Sequence, residues 1–147
     1  MKSMWQAEAR RELQARFGTI TPDRTPKWGR MSAPQMVTHA ADALWMAIGE
    51  LACEPKRSPL RYAPIKQLVI YVLPWPKGVP TAPELLARKP TTWSTDLHEL
   101  SALIDRIGSR GPAGPLADHP AFGRLSSRTW GALMYRHLDH HLTQFGA

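Results

Sequence analysis

A chain of 147 residues is long enough for one domain with a proper core and too short for two. Its 43% hydrophobic and 21% charged content excludes a disordered polymer. The formal charge of +7 comes from lysines and arginines scattered along the chain, paired only briefly as in Arg10-Arg11 and Lys56-Arg57. No finger, homeodomain or RNA-recognition signature accompanies them, so the charge reads as a basic surface and not as a nucleic-acid footprint. The single cysteine, Cys53, excludes an internal disulfide framework and fits a reducing compartment. The start, MKSMWQAEARRE, becomes charged too early for a secretory signal, and LVIYVLPWP from Leu68 is far short of the roughly 20 apolar residues that span a bilayer. The expectation is a soluble cytoplasmic protein.

Trp5, Ala9, Leu13, Phe17 and Ile20 recur at helical spacing and predict a first amphipathic helix over residues 2–18, closed by Gly18 and the TPDRTPKWG connector. Ser32 with Gln35 three positions on is a capping box, with Met31 and Met36 placed as a hydrophobic staple. The second helix then runs to about Leu51. It is apolar nearly all round, as a central helix is, or one whose second face a partner chain covers.

The run Pro64–Leu73 reads as a short helix in preference to a buried strand, because no partner strand is in sight. LPWPKGVPTAPEL is a proline-rich connector with one helical turn over Pro83–Ala87. Thr95 is taken as the cap of a third long helix, whose apolar face is Leu97, Leu100, Leu103, Ile104 and Ile107, and GSRGPAGP stops it. The loop ADHPAFGRLS leads to the cap pair Ser126-Ser127 and a last helix from Arg128 to Phe145. The sum is one all-α domain over residues 1–147, a four-helix bundle with short extra helices in its connectors.

The last helix carries three histidines within five positions, His137, His140 and His141. At about 100° per residue, Trp130, His141, Met134, Phe145, Leu138 and Leu142 fall within about 140° on one side of His137. His137 and His141 therefore stand inside the apolar stripe one turn apart. His140 sits near its edge, and Arg136, Asp139 and Thr143 form the opposite, solvated face. Imidazoles on a buried face must be satisfied by hydrogen bonds or by a metal, and histidines at i and i+4 present two nitrogens to one ion.

Such a pair needs a third ligand from a facing helix. Among the carboxylates and the histidines His98 and His119, His39 is the strongest candidate, because Met36, Ala43, Met46 and Ala47 surround it on its own wheel. Asp42 is either a carboxylate supporting His39 or a surface group, and Asp139 belongs to the solvated face. His98 lies off its helix's stripe. His119 either braces its loop or reaches the rim of the site.

The pattern resembles the DinB-like superfamily of four-helix-bundle proteins, in which one histidine lies on the second helix and a His-x-x-x-His pair on the last. The matching residues are His39 in MVTHAADAL, and His137 and His141 in YRHLDHHLTQF. Gln144 stands at the glutamine of the family's HxxxHRGQ ending, with Leu142-Thr143 in place of Arg-Gly. HPAFG (119–123), Trp130 and HLDHHLTQFG (137–146) look like one branch of the superfamily.

The resemblance implies a divalent metal, zinc or nickel, held by His39, His137 and His141, with Gln144 behind them. It also implies a small-molecule substrate and a homodimer. In some relatives a low-molecular-weight thiol is cosubstrate for a transferase or isomerase. Three histidines leave a coordination position open, which suits an exogenous thiol or a water, so thiol-dependent transfer ranks first. A metal-dependent hydrolase, with His140 or His119 as proton carrier, ranks second. A non-catalytic, metal-stabilised helical module in stress response is the third reading, and Cys53 is a packed small hydrophobe in all three.

Overall fold

The spacing of Ala9, Leu13 and Phe17 becomes α1, Ala7–Phe17, in the computed structural model, which describes residues 1–75, 77 and 81–147. Trp5 was expected inside this helix and lies outside it. The Met4 N–H donates to the Gly131 carbonyl at 2.9 Å, and Trp5 Nε1 donates to the Ser127 carbonyl at 2.8 Å. Those bonds hold residues 3–6 as a turn against the last helix, so α1 starts only at Ala7.

α2, Ala33–Ala47, begins at the expected capping box. Ser32 Oγ accepts from the Gln35 N–H, and the Gln35 side chain accepts from the Ser32 N–H. It ends short of Leu51, because Gly49 takes a φ of +81°, the left-handed conformation that glycine adopts without a Cβ penalty. Twelve of its fifteen residues are buried, so its all-round apolar surface is covered within the one chain.

The run after Pro64 is helical, as expected. α3, Ile65–Gln67, continues into a π-helical turn, Leu68–Val72, that buries Ile70 and lies against the last helix. Here one expectation fails: Arg136 is not on a solvated face. Its guanidinium donates to the carbonyls of Val69 at 3.3 Å, Ile70 and Leu73 at 2.7 Å. The segment's end leaves carbonyls without helical partners, and the forked donor set of Arg136 takes them up.

The turn expected near Pro83 is a 3-10 turn, Pro83–Leu85. Residues 76 and 78–80 of the proline-rich connector lie outside the described residues. α4 spans Trp93–Arg110, and its cap is Thr92 in place of Thr95. Thr92 Oγ1 accepts from the Thr95 N–H at 3.4 Å, while Thr91 is tied to the buried Asp96. α5, Ser127–Gln144, is capped by Ser126, which accepts from the Thr129 N–H.

The described residues thus form five helices and no strand, an all-α fold. α1 and α2 each pack against both α4 and α5. Leu13, Met36, Leu44, Leu100, Ile104, Leu138 and Leu142 are nearly inaccessible where these helices meet. Burial of each large side chain contributes about 1.5–3 kcal/mol. Among the described residues no helix is long and apolar enough to cross a membrane.

Gly131 permits the close approach of the N-terminal turn, since a Cβ there would collide with the Ser3 hydroxyl and the Trp5 indole. Alanine normally gains about 1 kcal/mol over glycine within a helix, but overpacking costs about 1–3 kcal/mol. Gly131→Ala is therefore expected to destabilise the protein by about 1 kcal/mol and to expose Trp5. Urea unfolding followed by tryptophan fluorescence checks both, and a stabilised variant would show that the turn does not depend on this contact.

Candidate metal centre

His39 comes from the middle of α2 and His137 and His141 from successive turns of α5, two helices that pack on one another. His39 and His141 are buried and His137 is half-buried. The Nε2 atoms converge: His137 Nε2 lies 3.1 Å from that of His39 and 3.0 Å from that of His141.

The opposite edges of two rings show where the protons are. His39 Nδ1 lies 3.1 Å from the Leu85 carbonyl, which can only accept, so Nδ1 carries the hydrogen and Nε2 presents a lone pair. Gln144 Nε2 donates to the Trp28 carbonyl at 2.8 Å, which turns the amide oxygen toward His141 Nδ1 at 2.9 Å. His141 therefore has the same tautomer as His39. His137 can donate one proton to only one of its two neighbours, so hydrogen bonding among the three rings leaves a nitrogen unsatisfied.

A divalent cation satisfies all three. Ligand nitrogens at about 2.0–2.1 Å in tetrahedral array stand about 3.3 Å apart, close to the two spacings that His137 makes, and all three ligand atoms lie within 4.8 Å of one another. The donor set fits a metal, and three histidines among the described residues can hold one.

The electrostatics favour the ligand form. Burial lowers the His39 pKa, partly opposed by the bond to Leu85, and pushes His141 down to about 3 with help from the charge of His39. Burial, then repulsion from His141 and His39, hold His137 well below the ordinary imidazole value. All three are neutral near pH 7.

The three rings stand in the wall of a cavity of about 450 Å³. Trp28, Met31, Trp75, Phe122, Leu133 and Met134 supply much of its apolar surface, and Arg30 and Lys56 are its charged lining residues. Sequence reasoning missed both tryptophans. Trp75 stacks on His137 with centroids 6.0 Å apart, and Trp28 stands edge-on to His140 at 5.6 Å. Lone tryptophans in proline- and glycine-rich connectors were the available signal.

The other candidates separate. Gln144 does support His141. Asp42 does not support His39, whose Nδ1 is taken by the Leu85 carbonyl. The buried Asp42 carboxylate instead accepts from Arg88 Nε at 2.8 Å, and Arg88 also reaches Glu99 at 2.7 Å. Burial nonetheless raises the Asp42 pKa, against the opposing effect of Arg88.

His140 is half-buried at the cavity edge between Trp28 and Trp75, and burial lowers its pKa. His119 lines the cavity, but its Nδ1 accepts from the Ala121 and Phe122 N–H groups at 3.1 and 3.2 Å. Burial pushes its pKa down to about 4, so the ring is neutral near pH 7. His98 is exposed on α4, outside the cavity. Asp139 pairs with Arg16 at 2.6 Å, and Cys53 is half-buried with its thiol pKa raised by burial.

Residues 77–147 match the model of a family described as Protein of unknown function (DUF1569). The matched stretch holds His137 and His141 on α5 and stops short of His39 on α2. No curated protein and no solved structure matches the chain.

Two outcomes follow from the site. Gln144→Leu removes the acceptor from His141 Nδ1, and the loss of such a supporting group weakens metal binding by about 10–100-fold. Competition against a chelator indicator checks it. The second concerns pH: native pKa values below the unfolded value near 6.5 mean that the unfolded chain binds protons the native state refuses. Stability of metal-free protein is complete above about pH 6.5 and falls as pH drops toward 4 and 3. His141 alone accounts for about 1 kcal/mol by pH 5.5, readable as a lower urea midpoint there than at pH 7.5.

Proposed function

We propose that this chain is a cytoplasmic, metal-dependent enzyme of DinB-like four-helix-bundle architecture. In it His39, His137 and His141 hold zinc or nickel and catalyse thiol-dependent group transfer to a small molecule. The observation that carries this reading is the convergence of three Nε2 atoms in the wall of a cavity. A structural site closes its fourth position with another protein ligand. Among the described residues, the donor cluster contains only these three histidines. A divalent ion held there supplies Lewis acidity, lowering the pKa of the thiol or water it binds.

The chain's own residues favour transfer over hydrolysis. No carboxylate and no cysteine lines the cavity among the described residues, so neither a carboxylate base nor an internal thiol is at hand. A nucleophile brought by a thiol cosubstrate removes the need for both. Leu85 and Gln144 hold two ligands in the required tautomer, and apolar side chains make up much of the cavity wall. His140, half-exposed at the cavity edge, is the group placed to pass a proton to solvent. The homodimer implied by the resemblance would use a surface other than α2, which its own chain buries.

Elemental analysis of untagged protein tests the centre: about one ion per chain is expected, with most of it lost in both His39→Ala and His141→Ala. Full metal content in both variants sinks the three-histidine reading. Cobalt-substituted protein should then show a saturable spectral change with a low-molecular-weight thiol. Indifference to every thiol, together with turnover of simple esters or amides, would transfer the assignment to a hydrolase.

A further inference from the structure

A fourth ring in the cavity wall has its proton placed as firmly as those of His39 and His141, but in the opposite sense. His119 sits in a tight turn closed by two backbone bonds, His119 N–H to the Gly123 carbonyl at 2.9 Å and Gly123 N–H to the His119 carbonyl at 2.7 Å. Within that turn, His119 Nδ1 faces the N–H groups of Ala121 and Phe122. Backbone N–H groups only donate, so Nδ1 carries no hydrogen and the neutral ring bears its proton on Nε2. A second proton on Nδ1 would face both donors directly.

The surroundings leave one edge of the ring free. Phe122 packs against it with centroids 4.8 Å apart and Trp130 at 5.4 Å, and Trp130 is anchored by Nε1 donating to the Ala117 carbonyl. The ring lines the cavity, and its Nε2 has no hydrogen-bond partner among the described residues. Nor is it among the buried polar atoms left without a partner; the described residues give only Ser127 Oγ there. Nε2 is therefore open to a ligand.

We propose that His119 is a substrate-binding residue whose Nε2–H donates a hydrogen bond to a carbonyl-type oxygen of the substrate. The class is an amide, ester or carboxylate attached to an apolar body that packs on Phe122 and the cavity tryptophans. Arg30 and Lys56, with no acidic group in the lining among the described residues, make an electron-rich or anionic oxygen the better fit. The low pKa of His119 keeps the ring neutral across the physiological range, so the donor is present at every working pH. The assignment rests on the cavity being a substrate site, but not on the metal.

Two-bond proton–nitrogen correlation spectra of ¹⁵N-histidine-labelled protein, with and without zinc, test it first. His119 is expected as the Nε2–H tautomer without titration from pH 5.5 to 8, and an Nδ1–H tautomer or a titration in that range overturns the proposal. Benzamide and benzoate are then added as probes, with toluene as the control. A saturable shift of His119 Nε2 with both, or with benzoate alone, supports the donor role, the latter bringing in Arg30 and Lys56. No shift with either probe overturns it.

His119→Asn keeps an acceptor for the loop N–H groups but lacks the reach of Nε2. It should bind the effective probe about five-fold more weakly, the weight of one neutral hydrogen bond, and His119→Gln should recover part of the loss. Unchanged affinity in His119→Asn again overturns the proposal. Metal content is read separately on the same samples. Failure of the three-histidine centre would therefore leave the tautomer and the probe shifts of metal-free protein standing.

Discussion

Two hydrogen-bond acceptors, the Leu85 carbonyl and the Gln144 amide oxygen, decide what the centre of this molecule can do. An imidazole binds a metal only through a nitrogen that carries no proton, and each acceptor draws the proton of its ring to Nδ1. Neither acceptor is held by helix geometry alone. Leu85 lies in a turn followed by Arg88, which is tied to Asp42 on α2 and Glu99 on α4. The Gln144 amide is oriented by the Trp28 carbonyl in the connector before α2. Helices bring the rings together, and the irregular segments set their chemistry.

That division has an energetic side. An unsatisfied polar group in a core costs about 1–3 kcal/mol, and three imidazoles with facing Nε2 atoms cannot all be satisfied by one another. The fold accepts this where it also leaves room: Ala43, one turn after His39 on an otherwise apolar core helix, lines the cavity. A sequence selected for stability alone would fill that space with leucine. Departures from good core packing concentrate where chemistry is to be done.

Much of this was legible in the sequence, because much of it is periodic. The apolar stripes, the capping box at Ser32 and the inward phase of His39, His137 and His141 all follow from a repeat of 3.6 residues. What escaped was set by contacts distant along the chain. Trp5 left its helix for a carbonyl 122 residues away, and Asp42 took Arg88, 46 residues on, in preference to the histidine one turn behind it. The cap of α4, expected at Thr95, lies one turn earlier at Thr92, next to Thr91, which is tied to the buried Asp96. The Leu85 carbonyl had no signature at all, since every residue carries one. Arg136 was placed outward by its phase, which knows nothing of three carbonyls arriving from residues 69–73.

Histidines of identical chemistry thus end in different proton states around one cavity, and the backbone is the agent that separates them. A carbonyl behind His39 makes its inner nitrogen a lone pair, whereas two N–H groups behind His119 make its free nitrogen a donor. The wall consequently offers electron pairs in one place and a polar hydrogen in another, across an apolar interior. A surface of that kind is complementary to a polarised bond: an electron-rich oxygen suits the donor, and a cation among the lone pairs suits an electron-rich nucleophile. His140, at the edge between Trp28 and Trp75, has no such backbone partner among the described residues, so no bond fixes its proton on one nitrogen.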